Sequence, residues 1–157
     1  MTIELWWIGK TSFPYLSEGI DIYLKRIKRY CKFKLVEYPD IKFGGKLSIT
    51  ELKTQEGALI LKKVNPKDFL ILLDENGKEF DSINFSKQIE QLQNSNPNKI
   101  IFLIGGAYGF SEDVYKRANK KISLSKMTFS HQMIRLIFLE QLYRAYSIIK
   151  REPYHHI

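Results

Sequence analysis

Phe69-Leu70-Ile71-Leu72-Leu73 and Ile100-Ile101-Phe102-Leu103-Ile104 are two unbroken apolar runs, and their reading decides the fold. Short runs of this kind, bounded by turn signals, suit strands buried on both faces, as in a parallel sheet covered by helices. Glu75-Asn76-Gly77-Lys78 follows the first run as a turn, and Gly105-Gly106-Ala107-Tyr108-Gly109 follows the second. Between them the pattern predicts a helix over about Ser82 to Asn94, which completes a β-α-β unit.

The same alternation continues in both directions. Toward the start, Ile3 to Ile8 reads as a strand closed by Gly9. Pro14 then sits where a first helical turn tolerates it, and Ile20, Leu24, Ile27 and Tyr30 recur at helical spacing. Phe33-Lys34-Leu35-Val36 is a second strand halted by Pro39, and Gly44-Gly45 marks a mobile loop. Ser48 with Glu51 is a capping-box pattern opening a helix to about Lys63. Toward the end, Ser111 caps a short helix, Lys121 to Leu124 gives a last strand, and a long helix runs from about His131 to Lys150. The class is α/β with a mainly parallel sheet covered by helices, in one domain over residues 1–157.

Twenty-five Lys and Arg against 17 Asp and Glu leave a net charge of +8. Such an excess in a small domain favours polyanionic partners, whether nucleic acid or an anionic membrane surface. Basic residues gather at Lys25, Arg26, Lys28, Arg29, Lys32 and Lys34, with Lys42 and Lys46 in the glycine-rich loop and Lys150-Arg151 near the tail. Tyr30, Phe33 and Phe43 are interspersed among them as candidate stacking platforms. Cys31 is alone, so no intrachain disulfide forms and a reducing cytoplasm is expected. No apolar run approaches the roughly 18 residues that a membrane span requires, and the start reads as a strand rather than a leader.

The final helix has a polar arc of about 120° holding Glu140, Gln141, Arg144 and Ser147, while the rest is apolar. That surplus fits either a second copy across a two-fold interface or a helix buried deep within one domain. Arg135 lies within the apolar arc, so it must pair with a carboxylate or emerge into a polar site.

Ligands of parallel sheets bind beyond the carboxyl ends of the strands, which points to Leu73 to Gly77, Gly105 to Gly109 and Ser125 to Ser130. Phosphate-loop, dinucleotide and nucleophile-elbow motifs are missing, and three histidines with one cysteine give no zinc spacing. Chemistry without a metal is therefore expected.

Four motifs occur in order: Leu73-Asp74-Glu75 with Gly77-Lys78, then Phe102 to Gly109, then Leu124-Ser125-Lys126-Met127-Thr128-Phe129-Ser130-His131-Gln132-Met133-Ile134-Arg135, then Glu140 to Ala145 with the ending Pro153-Tyr154-His155. Together they resemble the RlmH family of SPOUT methyltransferases, over the whole chain. The resemblance implies a SPOUT-type α/β knot, in which the C-terminal segment threads a trefoil knot, and a homodimer. It implies S-adenosylmethionine-dependent methylation of ring nitrogen 3 of a pseudouridine in helix 69 of 23S rRNA on the assembled ribosome. By the same resemblance, Leu73, Gly105 and the segment Leu124, Ser125, Lys126, Met127, Thr128 and Phe129 bind the cofactor. Arg135, His131, Tyr154 and His155 are candidates to stabilise the deprotonated base, with the tail as the substrate-facing element. Ser130 stands where the family has proline, which is expected to loosen the loop. His156 stands where it has a basic residue, which is expected to make RNA affinity sensitive to pH. The competing reading is a non-catalytic RNA-binding, ribosome-associated factor, separable by whether S-adenosylmethionine raises the melting temperature. A small-molecule α/β enzyme would leave the charge unexplained.

Overall fold

A computed structural model describes residues 1–41 and 46–156 of the chain. The elements run β1 (Thr2–Ile8), α1 (Pro14–Ile27), β2 (Phe33–Tyr38), α2 (Ile49–Leu61), β3 (Phe69–Glu79), α3 (Ser82–Asn94), β4 (Lys99–Ile104), α4 (Glu112–Arg117), β5 (Lys120–Ser123) and α5 (Met133–Ile149). All strand pairs are parallel, in the order β2-β1-β4-β3-β5.

Period-two alternation divides the core into two layers. Ile3, Leu5 and Trp7 of β1, with Ile100, Phe102 and Ile104 of β4, face the side covered by α1, α3 and α5. Trp6, Ile8, Leu70, Leu72, Ile101 and Leu103 face the side covered by α2 and α4. The two central apolar runs are therefore apolar throughout because both faces are buried. Helix starts are fixed locally. Ser48 Oγ accepts from Glu51 N–H at 3.1 Å, Asp81 Oδ1 from Asn84 N–H at 2.7 Å, and Ser111 Oγ from Val114 N–H at 3.4 Å. No helix of the described residues is long and apolar enough to cross a membrane.

α5 lies between α1 and α3, and its Phe138, Leu139, Leu142, Ala145 and Tyr146 are buried. The expected polar arc is narrower than the sequence suggests. Ser147 is fully buried and donates its hydroxyl to the carbonyl of Arg144 at 2.7 Å, which satisfies it within the helix. Gln93 Nε2 donates to Tyr146 Oη at 2.5 Å, tying α3 to the same face.

Three further expectations are corrected. The stretch read as a turn after Leu73 lies within β3, which pairs with β5 on both sides of it: Leu73 and Lys78 both stand opposite Ile122. Residues 74–77 bulge out of the ladder and the strand then resumes, so turn-forming residues occur without ending the strand. A Cβ on Gly77 would stand 2.6 Å from the backbone nitrogen of Ile122, so the bulge closes against β5 only with glycine there. Phe33 is not a stacking platform, since it is 5 % exposed within the core. Tyr30 stacks on Tyr146 and bonds Glu152, so its ring is also taken. Lys42, Phe43, Gly44 and Gly45, including the loop read as mobile, lie outside the described residues.

Candidate functional site

The carboxyl ends of β3, β4 and β5 open onto a cavity of about 620 Å³. Leu73, Ile104 and Ile122 form its apolar floor, where Leu73 pairs with Ile104 at the end of the β3–β4 ladder and with Ile122 just before the bulge. The loop Gly105 to Phe110 makes one wall, closed by a turn in which Gly109 N–H donates to Gly106 carbonyl at 3.2 Å. Gly109 has φ +86°, a left-handed conformation that a side chain would strain.

The segment from Ser123 to His131 makes the other wall, and its own hydroxyls shape it. Ser123 Oγ donates to Ser125 carbonyl at 2.8 Å, and Ser125 Oγ accepts from Met127 N–H at 2.9 Å. Thr128 Oγ1 donates to Glu75 Oε2 at 2.6 Å, joining this segment to the bulge of β3. Ser130 does not simply loosen the loop, as its replacement of proline suggested. Its Oγ accepts from Met133 N–H at 3.0 Å and so organises the entry to α5.

The sequence-derived positions divide into three places. Leu73, Gly105, Leu124, Ser125, Met127, Thr128 and Phe129 line the cavity, as does His131. Lys126 stands within that segment but does not line it, and its Nζ lies 4.0 Å from Glu79 with the side chain 88 % exposed. Asp74, Glu75 and Tyr108 also line it, within the loops expected to receive a ligand, whereas Tyr115 and Ile134 lie outside those loops. Tyr115 sits mid-helix in α4 with no local signal. Tyr115 Oη donates to Asp74 Oδ2, and Asn76 N–H reaches Asp74 Oδ1 at 2.8 Å. Burial, the hydrogen bond to Asp74 and the charges of Asp74 and Glu75 hold the Tyr115 phenol above its ordinary range, so it remains protonated.

Arg135 lies behind the cavity wall. It is 1 % exposed and stacks 4.5 Å from the Trp7 ring centroid. Its Nε donates to His131 carbonyl at 3.2 Å, Nη1 to Thr11 Oγ1 at 3.0 Å and Nη2 to Ile8 carbonyl at 3.0 Å. Burial lowers its pKa, with Glu37 and Asp40 acting in the opposite sense. Neighbouring Gln132 reinforces the joint, accepting from Ser12 N–H at 2.8 Å and donating to Lys10 carbonyl at 3.1 Å. Among the described residues no carboxylate pairs with Arg135. Carbonyl oxygens, a hydroxyl and an indole face receive it instead.

Tyr154 and His155 lie outside the cavity, folded back on the middle of α5. Tyr154 Oη donates to Glu140 Oε1 at 2.9 Å, and its ring packs 4.6 Å from that of Tyr143. Arg144 binds Glu140 at 2.5 Å and reaches His155 Nδ1 at 3.1 Å. A guanidinium only donates, so Nδ1 accepts and the imidazole proton sits on Nε2. Burial and the bonds to Tyr23 and Glu140 raise the Tyr154 phenol, which therefore acts as a donor. Glu140 and Arg144, which hold the tail, stand about 9–15 Å along α5 from Ile134 in the cavity wall, at 1.5 Å per residue. The exposed Lys25, Lys28, Arg29, Lys32 and Lys34 lie where α1 ends, and α1 runs alongside α5.

Comparison with known proteins adds the following. A family model described as "Predicted SPOUT methyltransferase" matches residues 1–155. The chain is 55% identical to ribosomal RNA large subunit methyltransferase H of Christiangramia forsetii over 156 residues, covering 99% of each chain. It is 56% identical to the protein of the same name from Flavobacterium psychrophilum, again covering 99% of each. Among solved structures, the tRNA (m1G37) methyltransferase of Aquifex aeolicus superposes with a TM-score of 0.54 at 18% identity. That match covers 100% of this chain and 76% of the other, and it concerns the fold alone.

Proposed function

The chain belongs to the SPOUT methyltransferase family, beside the large-subunit ribosomal RNA methyltransferases H, and we propose that it methylates large-subunit ribosomal RNA with S-adenosylmethionine. The target we propose is ring nitrogen 3 of a pseudouridine in helix 69 of 23S rRNA on the assembled ribosome, which sets the place of action in the cytoplasm. The observation that carries the reading is the cavity at the ends of β3, β4 and β5, with seven of the eight cofactor positions expected from the resemblance on its walls.

The residues present suit that cofactor. An apolar floor of Leu73, Ile104 and Ile122 accommodates a flat base, and the polar backbone of the two walls supplies hydrogen-bond partners for a nucleoside and an amino acid. S-adenosylmethionine, when bound, supplies an electrophilic methyl group on a sulfonium sulfur. The chain has to position the target nitrogen in line and favour its deprotonated form. His155, with Nδ1 held by Arg144, offers Nε2–H as a donor to the negative charge that develops on the base. Tyr154, whose phenol proton goes to Glu140, anchors the tail that carries His155. Arg135, tied to three oxygens, acts as a positioning residue behind the wall rather than on the base.

Neither Tyr154 nor His155 lines the cavity of its own chain, and their partners Glu140 and Arg144 stand about 9–15 Å along α5 from Ile134 in its wall. A two-fold homodimer with antiparallel α5 helices resolves this, because each tail then approaches its partner's cavity. Partly exposed Ile134, Leu136, Ile137 and Tyr143 supply apolar surface for such a contact. We assign the C-terminal trefoil knot to this single domain on the strength of family membership.

The test is methyl transfer to ribosomes from cells lacking the gene, using labelled S-adenosylmethionine and mass-spectrometric mapping. One methyl group on a helix 69 pseudouridine, with naked rRNA unlabelled, is expected. Cofactor binding without any label would overturn the reading in favour of a non-catalytic ribosome-associated factor.

A further inference from the structure

The charge lining the cavity is opposite to that of the chain. The net charge is +8, yet the described lining residues include Asp74 and Glu75 and no lysine or arginine. Lys126 is turned outward to Glu79, and Lys121 rests over the Tyr115 ring at 5.5 Å rather than against either carboxylate. The two acidic groups are also held in place by neutral donors. Asp74 accepts from Asn76 N–H and Tyr115 Oη, and Glu75 accepts from Thr128 Oγ1. Bonds of this kind fix a carboxylate without cancelling its charge. The rings of Tyr108, Phe110, Tyr115 and Phe129 line the same space, and π faces beside carboxylates are the usual surroundings of an onium cation.

Resting on the cofactor reading above, we infer that Asp74 and Glu75 make this cavity select the sulfonium form of the methyl donor over the neutral thioether left after transfer. In the transfer the sulfur–methyl bond breaks and its electron pair stays on sulfur. A ring-nitrogen lone pair of the base forms the new bond, and the ring proton passes to solvent. The ligand in the cavity thereby loses one positive charge, while its ammonium, carboxylate and nucleoside are unchanged. Donor and product differ in the methyl group and in the sulfur charge, and a fixed negative potential acts on the second, so it weakens retention of the product relative to the donor.

The test is calorimetric binding of S-adenosylmethionine, S-adenosylhomocysteine and an analogue carrying an ammonium in place of the sulfonium, without RNA. Glu75→Gln and Asp74→Asn are each expected to weaken the donor and the ammonium analogue by about three- to tenfold relative to the homocysteine product, from one charge at cavity distances. Glu90→Gln, an exposed carboxylate on α3, is expected to leave the ratio unchanged. In the unmodified protein the donor-to-product preference should fall between low and high salt, which tests the same point without a substitution. Equal weakening of all three ligands would overturn the inference, because the carboxylates would then be holding the shared ammonium or ribose. An unchanged ratio in both variants would also overturn it. Failure of the unmodified protein to bind any of the three would instead remove the cofactor reading on which it rests.

Discussion

Replacing Arg135 with alanine tests the joint that supports the cavity wall. The substitution removes three hydrogen bonds and a guanidinium stacked on Trp7 from a site only 1 % exposed. Thr11 Oγ1 is half-exposed and regains water, but the carbonyls of Ile8 and His131 lose a charged donor, at about 1–3 kcal/mol each. The lost cation–π contact adds about 1–2 kcal/mol. Relief of a buried cation that has no carboxylate partner offsets part of this, leaving about 3–5 kcal/mol of destabilisation. For a domain of this size, that corresponds to a fall in Tm of roughly 6–20 °C. Arg135→Lys keeps the charge but reaches fewer acceptors, so it should fall between the two. The assay is thermal unfolding alongside calorimetric cofactor binding. His131 lines the cavity and gives its carbonyl to Arg135, so cofactor affinity should fall even at temperatures where the variant is folded. An alanine variant melting within about 2 °C of the unmodified protein would refute this account of the joint, since one lost kcal/mol already moves Tm by that much.

Two further outcomes follow from the same geometry. Burial first, and Asp40 second, raise the pKa of Glu56 above its ordinary value of 4.5, so its charge costs stability once pH exceeds the folded-state value and costs nothing below the unfolded one. Glu56→Gln should therefore raise Tm at pH 7 and match the unmodified protein near pH 4, checked by calorimetry at both; a variant less stable at pH 7 would contradict it. Deleting residues 154–157 should abolish ribosome methylation while cofactor affinity stays within about twofold, because Tyr154 and His155 do not line the cavity. Parallel loss of cofactor binding would show that the tail supports its own chain's cavity.

The sheet was legible because the signal is local: five consecutive apolar residues in Phe69–Leu73 and in Ile100–Ile104 report burial on both faces without reference to any partner. The bulge of β3 was not, because Glu75-Asn76-Gly77-Lys78 has turn chemistry, and only β5 on the far side reveals that the ladder resumes. The same limit applies to Arg135. Its place in the apolar arc raised the right question, but the acceptors Ile8 and Thr11 lie 127 and 124 residues away in the chain. A carboxylate was the expected partner, and carbonyls served because burial demands hydrogen bonds rather than a particular countercharge. Of the cavity, the glycine loop and the serine-rich segment came from motif order. Tyr115 faces it only because α4 returns across the sheet, which no spacing in the sequence announces.

The distribution of charge then gives the two ends of the molecule different tasks. Lys25, Lys28, Arg29, Lys32 and Lys34 are exposed where α1 ends, beside Arg144 and the tail, and this end suits a phosphate backbone. At the other end of α5 the cavity carries carboxylates and aromatic rings, which repel a polyanion and hold a cation. A chain with +8 spread evenly would draw RNA over its own cofactor pocket. Asp74 and Glu75 disfavour phosphate inside the cavity, while the exposed basic residues where α1 ends suit the RNA backbone. In the proposed dimer that surface belongs to the second copy, whose tail would bring His155 toward the base.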